Sequence, residues 1–327
     1  MKPIIIFLFT CIPVLIKAQT YAEKLGYPKG SKVIILHVDD AGMSFDSNEG
    51  VANAMLNGVA NSTSIMMPCG WVPGMFAYLK KYPETDAGLH LTLTSEWDQY
   101  RWGPLAGKSA VPGLVDQQGA MWKSVRDVVI HASADEVYKE IKSQLERSRT
   151  AGWEPTHFDS HMGTLFASEA FLRKYLQLGM EEKIPVMFPG GHNTMIMKSE
   201  AGTFLKKEQT DMIGQMLWNA GLPVLDDLHN VSYGFPYPKN TSNDVELQKI
   251  ATANYINSFK ELKPGVTMVI MHCTAPTEVF DKISGSGTTR KADLLAMQSP
   301  ELKKYLEENK IILTTWRELK QRRGKIQ

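Results

Sequence analysis

The stretch Val33-Ile34-Ile35-Leu36-His37-Val38-Asp39-Asp40-Ala41-Gly42-Met43-Ser44 decides how the chain is read. An apolar run ends in two adjacent carboxylates, and a turn containing glycine leads toward a helix expected from Ser47. Apolar runs bounded by turn residues read as buried strands of α/β proteins, where the carboxyl ends of strands carry the chemistry. Two neighbouring Asp residues at such an end repel each other. A bound cation, or one proton shared with a substrate, relieves that repulsion. A plain Asp-Asp turn capping the next helix is the alternative. What the chain sets opposite the pair decides between them.

Outward from this strand, helical and extended patterns alternate. Further strands are expected over residues 62–67, 86–94, 156–159, 184–188, 223–225, 266–271 and 311–314. Helices are expected over 47–58, 73–81, 134–150, 168–180, 203–220, 245–262, 294–308 (with a break near Pro300) and 316–323. The clearest is 134–150, with Val137, Ile141 and Leu145 on one face behind a capping-box pattern from Ser133 to Glu136. Roughly eight strands alternating with helices predict a single parallel sheet closed, or nearly closed, into a TIM-like (β/α) barrel. A doubly wound open sheet is the alternative. The 327 residues hold no evident repeat or linker, so one domain is expected.

A formal net charge of +1 gives no argument for nucleic acid or a membrane surface as partner. Residues 1–18 read as a secretory signal peptide: Lys2, an apolar run over 4–16, then Lys17-Ala18-Gln19 at the cleavage point. The run is too short to span a bilayer. The expected mature domain is 19–327, exported to the periplasm or secreted, with no stable membrane insertion. Cys69 and Cys273 then remain, as a disulfide or as two buried thiols.

Four strand ends carry metal-binding or acid-base side chains: Asp39-Asp40, His90, the run His157-Phe158-Asp159-Ser160-His161, and His272. In a barrel these ends converge on one face. One Asp with two His is a ligand set for a catalytic divalent ion, which polarises a carbonyl and acidifies water. A neighbouring carboxylate can take a proton and a further His can supply one. Residues 95–124 lack periodicity but carry Trp97, Tyr100, Trp102 and Trp122 close by or within them. Their faces can stack on sugar rings or pack on the protein's own surface. Asp226-Asp227-Leu228-His229 either lines the pocket or forms a capping turn.

These motifs resemble the YdjC-like (ChbG/HpnK) carbohydrate deacetylases. His37-Val38-Asp39-Asp40-Ala41-Gly42-Met43-Ser44 is similar to that family's strand ending in Ala-Asp-Asp-Phe-Gly. Gly88-Leu89-His90-Leu91-Thr92-Leu93-Thr94 resembles its Gly-x-His-Leu-x-Leu-Thr, and Thr156-His157-Phe158-Asp159-Ser160-His161 its Thr-His-x-Asp-x-His. Met271-His272-Cys273 falls where the family has its late His. The resemblance implies a distorted (β/α) barrel and a metal-dependent hydrolase removing acetyl groups from N-acetylated sugars or oligosaccharides. It implies Asp39 as base, Asp40, His90 and His161 as ligands of a divalent ion (Mg2+ or Zn2+), and His272 as acid. Trp97, Trp102, Trp122, His157 and Asp227 are the expected substrate-side residues, with His157 alternatively orienting a ligand from behind. The sequence departs from the family at Ala41, where an aromatic is usual, and at Met162-Gly163-Thr164, which bears on the substrate. A hydrolase of another amide or ester and a catalytically silent glycan-binding barrel are the other readings.

Overall fold

A computed structural model describes residues 19–198, 205–237 and 243–326. The expected signal peptide, residues 1–18, lies outside the described residues. The strands are β1 (Lys32–Ala41), β2 (Ser62–Ile65), β3 (Ala87–Leu91), β4 (Phe158–Ser160), β5 (Asp227–His229), β6 (Gly265–Met271) and β7 (Ile312–Leu313). They form one parallel sheet in the order β4-β3-β2-β1-β6-β5, with β7 also paired to β1. β1 is central. It runs in register with β6 from Lys32↔Gly265 to Val38↔Met271, while β7 and then β2 share its other edge.

The sheet curls. Parallel bridges Phe158↔Val186 and Pro189↔Leu225 carry the β4 edge toward the β5 edge. The strand expected over 184–188 is reduced to these bridging residues, because Pro185 and Pro189 have no N–H to donate to a ladder. The strand expected over 223–225 starts later, at Asp227, beyond Pro223.

Helices cover the outside: α1 (Tyr21–Lys24), α2 (Phe45–Leu56), α3 (Val72–Lys81), α4 (Val125–His131), α5 (Ala134–Thr150), α6 (Glu169–Glu182), α7 (Lys207–Asn219), α8 (Asp244–Lys260), α9 (Phe280–Ile283), α10 (Gly287–Met297), α11 (Pro300–Glu308) and α12 (Trp316–Gly324). The Ser133 capping box forms on α5 as its sequence predicts. The helical stretch expected over 294–308 starts earlier, and the break expected near Pro300 divides it into α10 and α11. Ser299 caps α11 and Pro300 occupies its first turn.

Strand alternation sorts the core into two faces. Ile34, Leu36, Val38, Val269 and Met271 pack with Val51, Ala54, Leu247 and Phe259 of the helices. Val33, Ile35, Val266, Met268 and Ile270 point to the concave face, where Trp316 and Leu319 of α12 join them. Continuing that parity along β1 places His37 and Asp39 on the concave face. The inside of the sheet is therefore apolar at its amino end and polar at its carboxyl end. Cys69 and Cys273 are both buried free thiols.

The irregular stretch over residues 95–124 is pinned rather than loose. Arg101 donates to Asp116 Oδ2 at 2.7 Å, to Gln118 Oε1 at 2.7 Å and to the Met121 carbonyl at 2.6 Å. Glu140 of α5 accepts from the Leu105 and Ala106 amides.

Candidate active site

Five buried side chains meet at the carboxyl end of the sheet: Asp39, Asp40, His90, His161 and His272. β1 delivers the two Asp residues differently. Asp39 keeps the strand's parity and faces inward. Asp40 by parity would face the helices, but the pairing of β1 with β2 breaks register between Val38 and Ala41, and Asp40 takes φ +65°. This bulge turns its side chain into the same centre. Gly42 follows at φ +82°, where an added Cβ would stand 2.9 Å from Val72.

Asp40 Oδ1 lies 3.4 Å from His90 Nε2 and 3.4 Å from His161 Nδ1. It is buried and has no hydrogen-bond partner. The opposite nitrogens of both rings are already engaged by carboxylates. His90 Nδ1 is 2.7 Å from Asp159 Oδ1, and His161 Nε2 is 3.1 Å from Glu96 Oε1. A carboxylate only accepts, so each ring carries its proton on that far side and turns a lone pair toward Asp40 when neutral. The three ligand atoms lie within 4.8 Å of one another. An unpartnered carboxylate oxygen beside two such lone pairs is a donor set that fits a divalent cation.

The charge balance agrees with that fit. Asp39, Asp40, Asp159 and Glu96 surround the centre, against one guanidinium, Arg290, whose Nη1 donates to Asp40 Oδ2 at 2.6 Å. Burial opposes a charge on His90, yet Asp39 and Asp159 outweigh it and hold its pKa well above the usual imidazole range. Burial opposes one on His161 too, but Glu96 and Asp40 push its pKa up to about 9. A divalent ion at this centre would offset the same negative field. Two other groups of possible ligands, His37-His157-Asp159 and Asp39-His90-Asp159, both depend on Asp159. That residue already bonds His90 through Oδ1 and meets His37 Nε2 through Oδ2 at 2.9 Å.

Asp39 stands beside this set. Its Oδ1 is 3.1 Å from His37 Nε2, and its Oδ2 is 3.9 Å from His90 Nε2 and 3.8 Å from His272 Nε2. His272 follows β6 on the concave parity. Its backbone N–H donates to Asp293 Oδ2 at 2.9 Å, and its Nε2 is 2.8 Å from the Tyr233 hydroxyl. Burial pulls the His272 pKa down to about 4, with Arg290 adding to the effect against the pull of Asp40.

The remaining expected residues fall elsewhere. His157 is wholly buried below the centre, stacked on Trp316 at 5.1 Å, and cannot touch a substrate from there. Its ring fills the space where an added Cβ on Gly88 would stand. Asp227 takes the helix-facing parity of β5 and accepts from the Met195, Ile196 and Leu228 amides, a structural role rather than a substrate-side one. Trp102 is 6% exposed and donates from Nε1 to the Thr94 carbonyl, with Trp97 edge-on against it. Trp122 stacks on His131 at 4.0 Å and donates to the Gly113 carbonyl. Trp102 is thus packed inside, while Trp97 and Trp122 are partly buried against neighbouring rings.

Sequence reasoning missed Arg290, Tyr233, Glu96, Asp293 and the placement of His37. His37 lay in view, since its parity with Asp39 sets it on the same face, between Ser62 and Ser64 of β2. The others lie in loops or on α10 and have no local signature.

A family model described as YdjC-like protein matches residues 33–308. A carbohydrate deacetylase of Thermus thermophilus is 28% identical over 301 residues, spanning 91% of this chain and 97% of that protein. A chitooligosaccharide deacetylase of Serratia marcescens is 35% identical over 133 residues, 40% of this chain and 49% of its own length. A solved structure from Enterococcus faecalis, described as a putative cellobiose-phosphate cleavage protein, shares the fold with a TM-score of 0.69 at 21% identity, over 88% of this chain and 99% of that one. Because the matched span takes in the paired Asp residues, His90, His161 and His272, and covers most of the sequence, the chain belongs to the YdjC-like family.

Proposed function

We propose that the protein is an exported, metal-dependent deacetylase of N-acetylated sugars or oligosaccharides, built on a distorted (β/α) barrel. The observation that carries this reading is the buried, unpartnered Asp40 Oδ1 facing His90 Nε2 and His161 Nδ1 at 3.4 Å each, with Asp39 alongside. The relatives named as carbohydrate and chitooligosaccharide deacetylases support the substrate class. The bridges linking the β4 and β5 edges support the barrel.

In this reading Asp40, His90 and His161 hold the ion, Mg2+ or Zn2+. A divalent ion there supplies Lewis acidity, polarising the acetamide carbonyl and making water a better nucleophile. Asp39 removes a proton from the attacking water as its oxygen bonds the carbonyl carbon. His37 Nε2 lies 3.1 Å from Asp39 Oδ1, and the other oxygen, Oδ2, faces His90 and His272, where the transfer takes place. His272, kept neutral at rest by burial, lies 3.8 Å from Asp39 Oδ2; it takes up the proton that Asp39 removed from water and passes it to the departing amine nitrogen as the C–N bond breaks. Acetate and the free amino sugar are the products.

The test is acetate release by protein beginning at Gln19, from N-acetylated mono- and oligosaccharides, with and without a chelator. Release that the chelator abolishes and added Mg2+ or Zn2+ restores is the expected result. Bound ion with no release from any sugar overturns the reading.

A further inference from the structure

Among the described aromatic residues the exposed ones are Phe45, Trp71 and Tyr233. All three stand on segments that follow strands β1, β2 and β5 at their carboxyl ends, the end that holds the candidate site. Tyr233 touches His272 directly. Phe45 and Trp71 form a tilted pair, ring centroids 5.3 Å apart, 45% and 47% exposed.

The Trp71 backbone is tied to the turn that carries Asp40. Its N–H donates to the Gly42 carbonyl at 3.1 Å. Asn48 accepts from the Gly42 N–H at 2.7 Å and donates to the Trp71 carbonyl at 2.9 Å. Tyr100 closes the same corner, donating from its hydroxyl to the Met43 carbonyl at 2.6 Å. A groove of about 290 Å³ runs here, lined by Ser44, Trp71, Gln99, Tyr100 and Lys282 together with the apolar Val279 and Ile283. Ser44, four residues after Asp40, places the groove at the carboxyl end of β1, the end that holds the candidate site.

We infer that this groove is the subsite for the sugar ring next to the one being deacetylated, with Trp71 as its stacking platform and Phe45 as that platform's support. The inference rests on the proposed deacetylase reading. Carbohydrate rings present an apolar C–H face and a rim of hydroxyls, and the groove has the matching form. Aromatic surface lies at Trp71 and Tyr100, with the apolar Val279 and Ile283 beside it, while the exposed Gln99 and Lys282 offer hydrogen-bonding groups at its rim. A lipid chain or an apolar peptide would have no use for those two polar groups. The consequence is a preference for chains of two or more sugars. This assignment replaces the sugar-stacking role expected of Trp97, Trp102 and Trp122.

The experiment compares the intact protein with Trp71→Ala, Trp71→Phe and Phe45→Ala. It measures kcat/KM for acetate release from N-acetylglucosamine and from its β-1,4-linked dimer and trimer, and titrates the trimer calorimetrically. Trp71→Ala is expected to lose about tenfold more on the trimer than on the monosaccharide, equivalent to about 1.4 kcal/mol. Trp71→Phe should recover most of that difference and Phe45→Ala should lose less. Equal losses on monomer and trimer, or none on either, overturn the subsite. If the parent protein releases no acetate from any of the three, the deacetylase reading fails and calorimetry decides the groove alone. Trimer binding weakened by Trp71→Ala then supports it. No binding, or binding indifferent to Trp71, overturns it.

Discussion

Arg290 on α10 reaches across to β1 and donates from Nη1 to Asp40 Oδ2 at 2.6 Å, which leaves Asp40 Oδ1 aimed between His90 and His161. The guanidinium is itself held by Ser286 through Nε at 2.8 Å. Asp40 already sits at φ +65°, so its side chain needs an external restraint to keep one oxygen inward. Burial is the largest influence and would raise the Asp40 pKa, but the Arg290 charge and the neighbouring His161, His90 and His272 together outweigh it and hold the carboxyl well below the usual range, ready to bind a cation. Arg290→Gln should lower kcat/KM by about 10- to 100-fold, the usual effect of losing a partner that orients a metal ligand. Arg290→Lys should rescue little, because a point charge does not reproduce the fork that bonds Asp40 and Ser286 together. Acetate release and ion content of the purified variants check this.

Asp39 and His90 are neighbours, and the proposed chemistry asks different things of them. Asp39→Asn should leave the ion in place and reduce turnover by about 10²- to 10⁴-fold, the span of a positioned general base. His90→Ala should lose ion and turnover together. Metal content by mass spectrometry, read beside acetate release, separates the two. A fully active Asp39→Asn protein would remove Asp39 from the mechanism.

The strands that carry the site were legible because their chemistry is local. Apolar runs ending at Asp39, His90 and His272 announce both a buried strand and what stands at its end, and period-two alternation then sets which side chains face inward. The Asp40 turn was legible only as a motif, since nothing in Val38-Asp39-Asp40-Ala41 states that the backbone bulges there. Residues 184–188 looked like a strand by their apolar content, but Pro185 and Pro189 cost them the ladder. Arg290 and Tyr233 were out of reach because their partners, Asp40 and His272, are distant in sequence. Trp102 was misread for a related reason: an aromatic in an irregular stretch gives no sign of which way it faces.

That misreading has a measurable correction. Trp102 packs in a small cluster with Met43, Met66, Cys69, Met121 and Phe280, and its indole N–H is satisfied by the Thr94 carbonyl. Trp102→Ala should therefore destabilise the fold by about 3–5 kcal/mol, the cost of emptying a large buried site. A lower midpoint of chemical unfolding is the expected signature, whereas Trp71→Ala, at a half-exposed position, should leave the midpoint nearly unchanged. Equal midpoints for Trp102→Ala and the parent protein would return Trp102 to the surface.

Stability should also depend on pH through Glu140, far along the chain from the paired Asp residues. Its carboxylate on α5 accepts from the Leu105 and Ala106 amides and from Gln144 Nε2 at 2.9 Å. Burial is the larger influence and pushes its pKa from 4.5 up to about 7, against those three donors. Between these two values the folded protein holds a proton that the unfolded chain has released. The contribution is therefore complete below pH 4.5, shrinks as pH rises, and is gone above about 7. Glu140→Gln keeps an acceptor for the amides and has nothing to titrate. Unfolding midpoints taken from pH 4.5 to 8 should show the parent protein losing stability relative to the variant as pH rises through that window. Parallel profiles would mean that the amide donors, not burial, govern Glu140, and that it stays ionised in the folded state.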